Sequence, residues 1–255
     1  MSDFYIGYLP KAPSALGRFL RKAVIWLGLL AVTAALTLVL GQGPFAHSTF
    51  EYGKPRTFEG MVVTQPYPSL LVLNRGDRSP GDKFSQYLLV APGKHGAGSL
   101  LSRFAGRHVR LQGQLIDRDG EAMLEVVPGS IDLIPGSAEI SEEFRDLGPV
   151  TVAGEIVDSK CFLGVMNPGS GKVHRDCAAR CLSGGIPPLF ITANGESLSG
   201  NSQFLLVGRD GNALGSDSLR EFVAEPITVQ AELLQRGEAK FLRIDPDALR
   251  HEDGD

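Results

Sequence analysis

The stretch FAGRHVRLQGQLIDRDGEA, from Phe104 to Ala122, occurs in two versions in this 255-residue chain and decides its fold. It returns as FVAEPITVQAELLQRGEA, from Phe222 to Ala239. The offset between the two versions is 117–118 residues, and both end on a Gly-Glu-Ala turn, as if one residue were lost at the turn. Self-similarity at a constant offset indicates a repeated structural unit. The sequence therefore predicts two copies of one fold.

Apolar and polar residues alternate along both versions with the period of a β-strand. Val109, Leu111, Gly113 and Leu115 are predicted to point one way, and the intervening Arg and Gln side chains the other way. Two shorter matches precede this stretch: FEGMVV (58–63) resembles VAGEIV (152–157), and LLV (88–90) recurs at 205–207. Short helices are predicted at Ser99–Phe104 and Ser218–Val223. A unit with about five short strands and one short helix is typical of an OB-type barrel.

The predicted fold class is mainly β, with a single N-terminal transmembrane helix followed by two tandem OB-like β-barrels. A single continuous β-sandwich is the alternative. The predicted segments are a cytoplasmic tail (1–22), a transmembrane anchor (23–41), a first barrel (50–135), a linker (136–149), a second barrel with a Cys/His insert (150–246) and a disordered tail (247–255).

The membrane anchor is predicted from AVIWLGLLAVTAALTLVL, Ala23 to Leu40, which contains no charged residue. As a helix it spans roughly 27 Å, close to the thickness of the hydrocarbon core of a bilayer. Lys11, Arg18, Arg21 and Lys22 precede it, and no basic residue follows in GQGPFAHSTF. Since basic flanks stay in the cytoplasm, we expect a single pass through the inner membrane with the barrels on the periplasmic side. A cleaved secretory signal is the alternative, and it exports the barrels equally.

Composition argues against several classes of function. The net charge is −4, and the barrels contain no dense Lys/Arg cluster, so no nucleic-acid partner is expected. The residues show no Ser/His/Asp arrangement, no credible pair of catalytic carboxylates and no phosphate-binding glycine loop. The sequence therefore favours a protein that is not an enzyme, and it identifies no small-molecule substrate.

All three cysteines lie in a segment that distinguishes the second copy, DSKCFLGVMNPGSGKVHRDCAARCLSGGIPPLF (Asp158 to Phe190). If residues 173–182 form a helix, then His174, Cys177 and Cys181 share one face of it, because they are spaced i, i+3 and i+7. Gly184 and Gly185 end that helix, and the glycine-rich segment after Cys161 allows that residue to fold back over it. Three thiolates and an imidazole suit zinc, copper(I) or an iron–sulfur cluster, and do not suit magnesium or calcium. The predicted metal ligands are Cys161, His174, Cys177 and Cys181.

Two other interpretations of the cysteines remain open. In an oxidising exported compartment, two of the three could form a structural disulfide and leave the third free, with no metal bound. A redox-active dithiol is the weaker alternative, since there is no C-x-x-C motif. Asp158 either orients His174 or caps the end of a strand. The neighbouring cations either favour thiolates or are simply solvated; they are Lys160, Lys172, Arg175 and Arg180.

The run Cys161-Phe-Leu-Gly164, His174-x-x-Cys177-Ala178-x-x-Cys181 and Gly185-x-Pro187 resembles a largely uncharacterised family of small exported bacterial proteins. The resemblance is strong over about 35 residues and implies an OB-like fold that binds a metal ion. This chain departs from the family by its anchor and by a first barrel without cysteines. We therefore expect a metal-binding or electron-transfer accessory protein that is a subunit or partner of a membrane redox complex. The alternative function is a protein-interaction module with a disulfide-stapled loop.

Overall fold

The structure is a computed structural model that describes residues 13–41, 48–73, 84–135 and 143–250. The chain divides into two compact units, Met1–Ala46 and His47–Asp255. Residues 1–12 of the predicted cytoplasmic tail lie outside the described ranges.

The first unit contains one long helix, α1 (Ser14–Gly41), with no buried residue. Among the described residues, it is the one helix long and apolar enough to cross a membrane. It begins at Ser14, whereas the anchor was predicted from residue 23. The earlier start follows from the good helix formers after Pro13, a residue that is tolerated at a helix start but not within one. Arg18, Arg21 and Lys22 therefore belong to the helix.

The first barrel closes through five strands in the order β6-β2-β3-β4-β7-β6, where β4 and β7 run parallel and the other pairs antiparallel. The short strands β1 and β8 add to β6, and β5 adds to β4. In chain order the elements are β1 (Ser48–Phe50), β2 (Arg56–Val63), β3 (Ser69–Leu73), β4 (Phe84–Ala91), β5 (His95–Gly96), α2 (Gly98–Leu101), β6 (His108–Arg118), β7 (Glu121–Val126) and β8 (Asp132–Leu133).

The second barrel repeats this topology in the order β9-β10-β11-β13-β12-β9, again with one parallel pair, β11 and β13. In chain order its elements are β9 (Arg145–Asp158), α3 (Arg175–Ser183), β10 (Pro188–Thr192), β11 (Gln203–Val207), α4 (Ser216–Leu219), β12 (Ile227–Arg236) and β13 (Ala239–Ile244). The prediction of two tandem OB-like barrels is thus confirmed, and the chain is not one continuous sandwich. The two copies differ between their first and second barrel strands, which residues 64–68 join in the first and residues 159–187 in the second.

The glycine shared by the two repeated motifs marks the point where each first barrel strand changes partner. Gly60 in β2 pairs with β6, and the pairing with β3 begins at the next residue. Gly154 in β9 pairs with both β12 and β10. A Cβ atom at Gly60 would lie 2.4 Å from the carbonyl oxygen of Leu71, and one at Gly154 would lie 2.1 Å from that of Ile191. Barrel closure therefore requires glycine here, because the next strand crosses too closely for a side chain.

The alternation predicted for β6 holds at its start, where Val109, Leu111 and Gly113 are buried between exposed Arg110 and Gln112. It then changes, since Ile116 is fully buried on the opposite face. Ile116 belongs to an apolar cluster that both barrels share, whereas each barrel also has a core of its own. The outer face of β6 is buried here because the second barrel covers it.

The same positions of both copies form this shared cluster, which we call the inter-barrel core. It contains the equivalent pairs Ile116/Leu234, Met123/Phe241, Leu88/Leu205 and Val90/Val207. Two equivalent Gln/Arg pairs also contact each other across the barrels. Gln203 donates to the carbonyl oxygen of Arg118, and Arg236, the equivalent of Arg118, donates to Gln86, the equivalent of Gln203. Reciprocal contacts of this kind are typical of isologous interfaces. The two barrels are packed together as one body by the face they have in common.

The strand register corrects the alignment at the repeated turn. Arg118 pairs with Glu121 in the first copy, and Arg236 pairs with Ala239 in the second. Both hairpins therefore have two-residue turns, and no residue is lost between them. Through these hairpins the offset stays at 118 residues, so Glu121 corresponds to Ala239.

The ends of the second barrel differ from the predicted segment bounds. Strand β9 begins at Arg145, within the segment predicted as a linker (136–149), and pairs there with Gln235. The chain after β13 forms a 3₁₀ turn at Pro246–Ala248, and Leu249 is buried against the second barrel. The remainder of these two predictions, residues 136–142 and 251–255, lies outside the described ranges.

Candidate metal centre

The cysteine-bearing insert starts where β9 ends. After Asp158 the chain forms one wide helical turn, Cys161–Val165, closed by a hydrogen bond from the amide of Met166 to the carbonyl oxygen of Cys161. Asp158 caps this turn, since its Oδ1 atom accepts a hydrogen bond of 2.8 Å from the amide of Cys161. The segment then turns back into α3, which carries Cys177 and Cys181. This return places Cys161 opposite the helix, as the sequence predicted.

The three cysteine sulfurs converge. The Sγ atom of Cys161 lies 3.9 Å from that of Cys177 and 3.9 Å from that of Cys181. All three sulfurs lie within 4.8 Å of one another. Cys161 and Cys181 are 4% and 1% exposed and belong to the inter-barrel core, while Cys177 is half-buried.

These separations fit a bound metal ion. With metal–sulfur bonds of about 2.3 Å, the sulfurs lie ~3.8 Å apart in a tetrahedral site and ~4.0 Å apart in a trigonal one. A disulfide bond of about 2.0 Å is much shorter, and all three cysteines are free thiols in the structure. Sulfur is a soft donor, so the set suits zinc, copper(I) or an iron–sulfur cluster.

His174 is placed differently from the cysteines. It ends a short 3₁₀ turn, Lys172–His174, before α3 begins, so the predicted helical face does not include it. Its Nε2 atom lies 2.9 Å from Oδ2 of Asp158, and both side chains are buried. Within 4.8 Å, His174 groups with Asp158 and Cys161 and not with all three sulfurs. Asp158 is therefore a partner of His174, as one interpretation of the sequence held, and it caps the helical turn after β9, where the other interpretation had it cap the end of a strand.

The cation that contacts the sulfurs comes from the first barrel. The Nζ atom of Lys94, in the turn between β4 and β5, lies 2.8 Å from Sγ of Cys177 and 3.5 Å from Sγ of Cys181. The hydrogen bond to Cys177 raises the pKa of Lys94, so the ammonium form is favoured.

The thiols of Cys161 and Cys181 titrate as a pair. The hydrogen bond from Cys161 lowers the pKa of Cys181 to about 7, and the charge of Lys94 adds to this effect. The same hydrogen bond raises the pKa of Cys161, and burial adds to it. Cys181 is therefore the first of the two to become a thiolate, which is the form that binds metal ions.

The backbone of the β4–β5 turn is pressed against the end of α3. The amide of Gly96 donates a 2.9 Å hydrogen bond to the carbonyl oxygen of Gly184, and a Cβ atom at Gly184 would lie 1.8 Å from the carbonyl oxygen of Lys94. Lys160 holds the turn from the other side, because its ammonium donates to the carbonyl oxygens of Ala91 and Gly93. Gly184, the first residue after α3, thus also leaves room for the turn that carries Lys94.

The four cations singled out in the sequence have other partners or positions. Lys160 forms a buried ion pair of 2.5 Å with Glu125 of the first barrel. Lys172 and Arg175 pair with Glu225 at 3.5 and 2.8 Å. Arg180 lines a cleft of about 660 Å³ that opens beside Lys94 and Cys177. Lys94 was not identified from the sequence. This residue lies in the first barrel, outside the insert, and no local motif connects it to the cysteines.

Comparisons with protein-family models, with curated proteins and with solved structures gave no match to this chain.

Proposed function

We propose that this chain is a membrane-anchored protein whose barrels bind one soft metal ion on Cys161, Cys177 and Cys181. The observation that carries the proposal is the convergence of three free thiols, two of them buried, at separations that fit metal–sulfur bonds. Buried thiols without a partner sulfur at bonding distance suit a structural disulfide less well. The resemblance to small exported proteins with the same cysteine and histidine pattern supports the same proposal.

The setting proposed for this site is the outer face of a membrane. Helix α1 is long and apolar enough to anchor the chain, and the basic residues before its apolar run favour a cytoplasmic N-terminus. An anchored metal protein without a recognised set of catalytic residues suits the role of a metal-binding or electron-transfer accessory to a membrane redox complex.

In this proposal His174 supports the site instead of binding the metal. Its contact with Asp158 fixes the carboxylate that in turn holds the backbone of Cys161. Residues that orient metal ligands change metal affinity by about 10–100-fold when they are replaced.

The test is metal analysis of the full-length chain, purified in detergent under reducing and anaerobic conditions. We expect one metal ion per chain, lost in Cys161→Ser. His174→Ala should keep the stoichiometry and bind roughly 10–100-fold more weakly, whereas the exposed His95→Ala is the matched control and should bind as the unaltered protein does. Loss of all metal in His174→Ala would make His174 a direct ligand, and metal-free protein would refute the proposal.

The second candidate function is an interaction module with a disulfide-stapled loop. It is favoured by the equal 3.9 Å separations of Cys161 from the other two sulfurs, which allow either pair to approach bonding distance. Mass spectrometry under non-reducing conditions separates the two candidates. One disulfide and one free thiol per chain in protein freshly isolated from membranes would support the module and exclude the metal centre.

A further inference from the structure

We infer that the centre selects monovalent copper, bound by three cysteines, and that Lys94 of the first barrel is the residue that makes it selective. This inference rests on the proposed function and names the metal of that same site. It follows from three observations. These are the number of available ligands, the ammonium group that lies where a fourth ligand would bind, and the net charge of the three thiolates with a bound metal ion.

The number of available ligands is three. Within the described ranges, potential ligand atoms group in two sets that share Cys161: the three sulfurs, and Cys161 with Asp158 and His174. The second set is engaged internally, because His174 contacts Asp158 at 2.9 Å. The other oxygen of Asp158 accepts the amide of Cys161, so this carboxylate is also engaged. Structural zinc sites have four protein ligands almost without exception. Copper(I) is a soft ion that thiolates bind well, and it does not need a fourth ligand.

An ammonium group occupies the side of the cluster that faces the cleft. Lys94 lies within hydrogen-bonding distance of both Cys177 and Cys181, and both it and Cys177 line the cleft. A protonated lysine has three donors and no lone pair, so it cannot bind a cation. Lys94 can instead donate hydrogen bonds to sulfurs that carry the negative charge of a loaded site.

With a metal ion bound, the net charge of the three thiolates makes a nearby ammonium group favour copper(I) over zinc(II). Three thiolates with copper(I) carry a net charge of −2, and with zinc(II) a net charge of −1, after the thiol protons have passed to solvent. Because the attraction of a fixed cation scales with the charge it faces, Lys94 stabilises the copper complex more than the zinc complex. Three of the four cations of the insert pair with carboxylates, Lys160 with Glu125 and both Lys172 and Arg175 with Glu225. The fourth, Arg180, lines the cleft, but Lys94 is the cation with hydrogen bonds to the sulfurs.

The packing between the barrels accounts for the position of Lys94. Its turn is held by the hydrogen bond from Gly96 to Gly184 and by the two hydrogen bonds from Lys160. The first barrel has no cysteine. Among the described residues of the first barrel, the side chain that contacts the sulfurs is that of Lys94, which adds one positive charge to the site.

The experiment compares copper(I) and zinc(II) affinities of the full-length chain in detergent, by competition with chromophoric chelators under anaerobic conditions. Lys94→Met should weaken copper(I) binding by about 10–100-fold and zinc(II) binding by clearly less. Lys94→Arg, which keeps the charge, should restore most of the copper affinity. Lys172→Met is the matched control, since it removes an exposed lysine of the insert that pairs with Glu225 instead of sulfur, and both affinities should stay unchanged.

The outcomes separate this inference from the proposed function. If the unaltered protein binds neither ion, the metal centre itself is refuted. If it binds both and Lys94→Met changes the two affinities by the same factor, the metal centre stands and the selection by Lys94 is refuted. X-ray absorption of the copper-loaded protein provides a second test: a shell of three sulfurs supports the inference, and a nitrogen or oxygen ligand in addition overturns it.

Discussion

The cysteines are surrounded by polar residues that contact them directly or through one another: Lys94, Asp158 and His174. Asp158 is completely buried, and both of its oxygens are used, one by the backbone of Cys161 and the other by His174. Lys94 is exposed, yet its ammonium is directed at two sulfurs. A contact between Asp158 and His174 was one of the two interpretations drawn from the sequence, because both residues belong to one local segment. No spacing predicted Lys94, which lies 83 residues before Cys177 in the other barrel.

Glu121 is a half-buried carboxyl group at the contact between the barrels, and it makes stability depend on pH. Its Oε1 atom accepts a 3.1 Å hydrogen bond from Asn201 of the second barrel. Burial raises its pKa from 4.5 to about 7, and the nearby carboxylate of Glu238 adds to the shift. Because the folded state holds this proton more tightly than the unfolded chain does, its contribution is complete below pH 4.5 and is lost as the pH rises through 7.

We expect Glu121→Gln to remove this loss, since the amide stays neutral and can still accept from Asn201. The variant should be more stable than the unaltered protein at pH 8, by up to about 3 kcal/mol, and equally stable near pH 4.5. Chemical denaturation across this pH range, followed by near-ultraviolet circular dichroism, measures the difference. Glu196→Gln, at an exposed glutamate, is the control. Equal stability of the Glu121 variant and the unaltered protein at pH 8 would contradict the assignment.

The glycines after α3 have two roles, of which the sequence predicted one. They end the helix, and Gly184 also leaves room for the turn that carries Lys94. Gly184 and Gly185 were predicted to stop the helix, and they do follow its last residue. Gly184 has ordinary helical backbone angles, with φ −83° and ψ 0°, so its lack of a side chain is not needed for the turn itself. It is needed because the carbonyl group of Lys94 occupies the place of a Cβ atom.

We therefore expect Gly184→Ala to act through the Lys94 turn. A methyl group here meets backbone, which does not move as easily as a flexible side chain, and overpacking of this kind costs about 1–3 kcal/mol. The free energy of unfolding should fall by that amount, and metal affinity should fall with it because the turn is pushed away from α3. Gly215→Ala is the matched control, since no atom lies within 4 Å of its Cβ position and its φ is −68°. A Gly184→Ala protein with unchanged stability and metal affinity would show that the turn adjusts freely.

At the scale of the whole molecule, the two barrels form one body that encloses polar groups as well as apolar ones. The inter-barrel core contains equivalent side chains from both copies together with Cys161 and Cys181. Beside it, the ammonium of Lys160 is buried against Glu125 and two backbone carbonyl groups of the first barrel. Removal of one member of a buried pair leaves the other charge without compensation, which is far more costly than the loss of an exposed pair.

Lys160→Met should therefore destabilise the barrels by about 3–5 kcal/mol, because Glu125 remains buried without its partner. Lys160→Met combined with Glu125→Gln should recover part of this loss. The exposed pair of Lys172 and Glu225 provides the comparison, and Lys172→Met should cost at most about 1 kcal/mol. Denaturation followed by near-ultraviolet circular dichroism reports on the barrels, whereas the fluorescence of the chain's single tryptophan, Trp26, reports on helix α1. A loss below 1 kcal/mol in Lys160→Met would mean that the pair is not essential to the contact.

The sequence by itself determined the repeated barrel, the apolar helix and the convergence of the cysteines, because each is encoded within one continuous segment. The period of Val109 and Leu111 defines a strand, and the glycine-rich link after Cys161 lets the chain return to Cys177. The tertiary structure alone decided that both barrels share a core and that Lys94 of the first barrel reaches the sulfurs of the second. These contacts join surfaces that belong to different copies. They depend on how those surfaces fit together, and the order of residues along either copy does not contain that information.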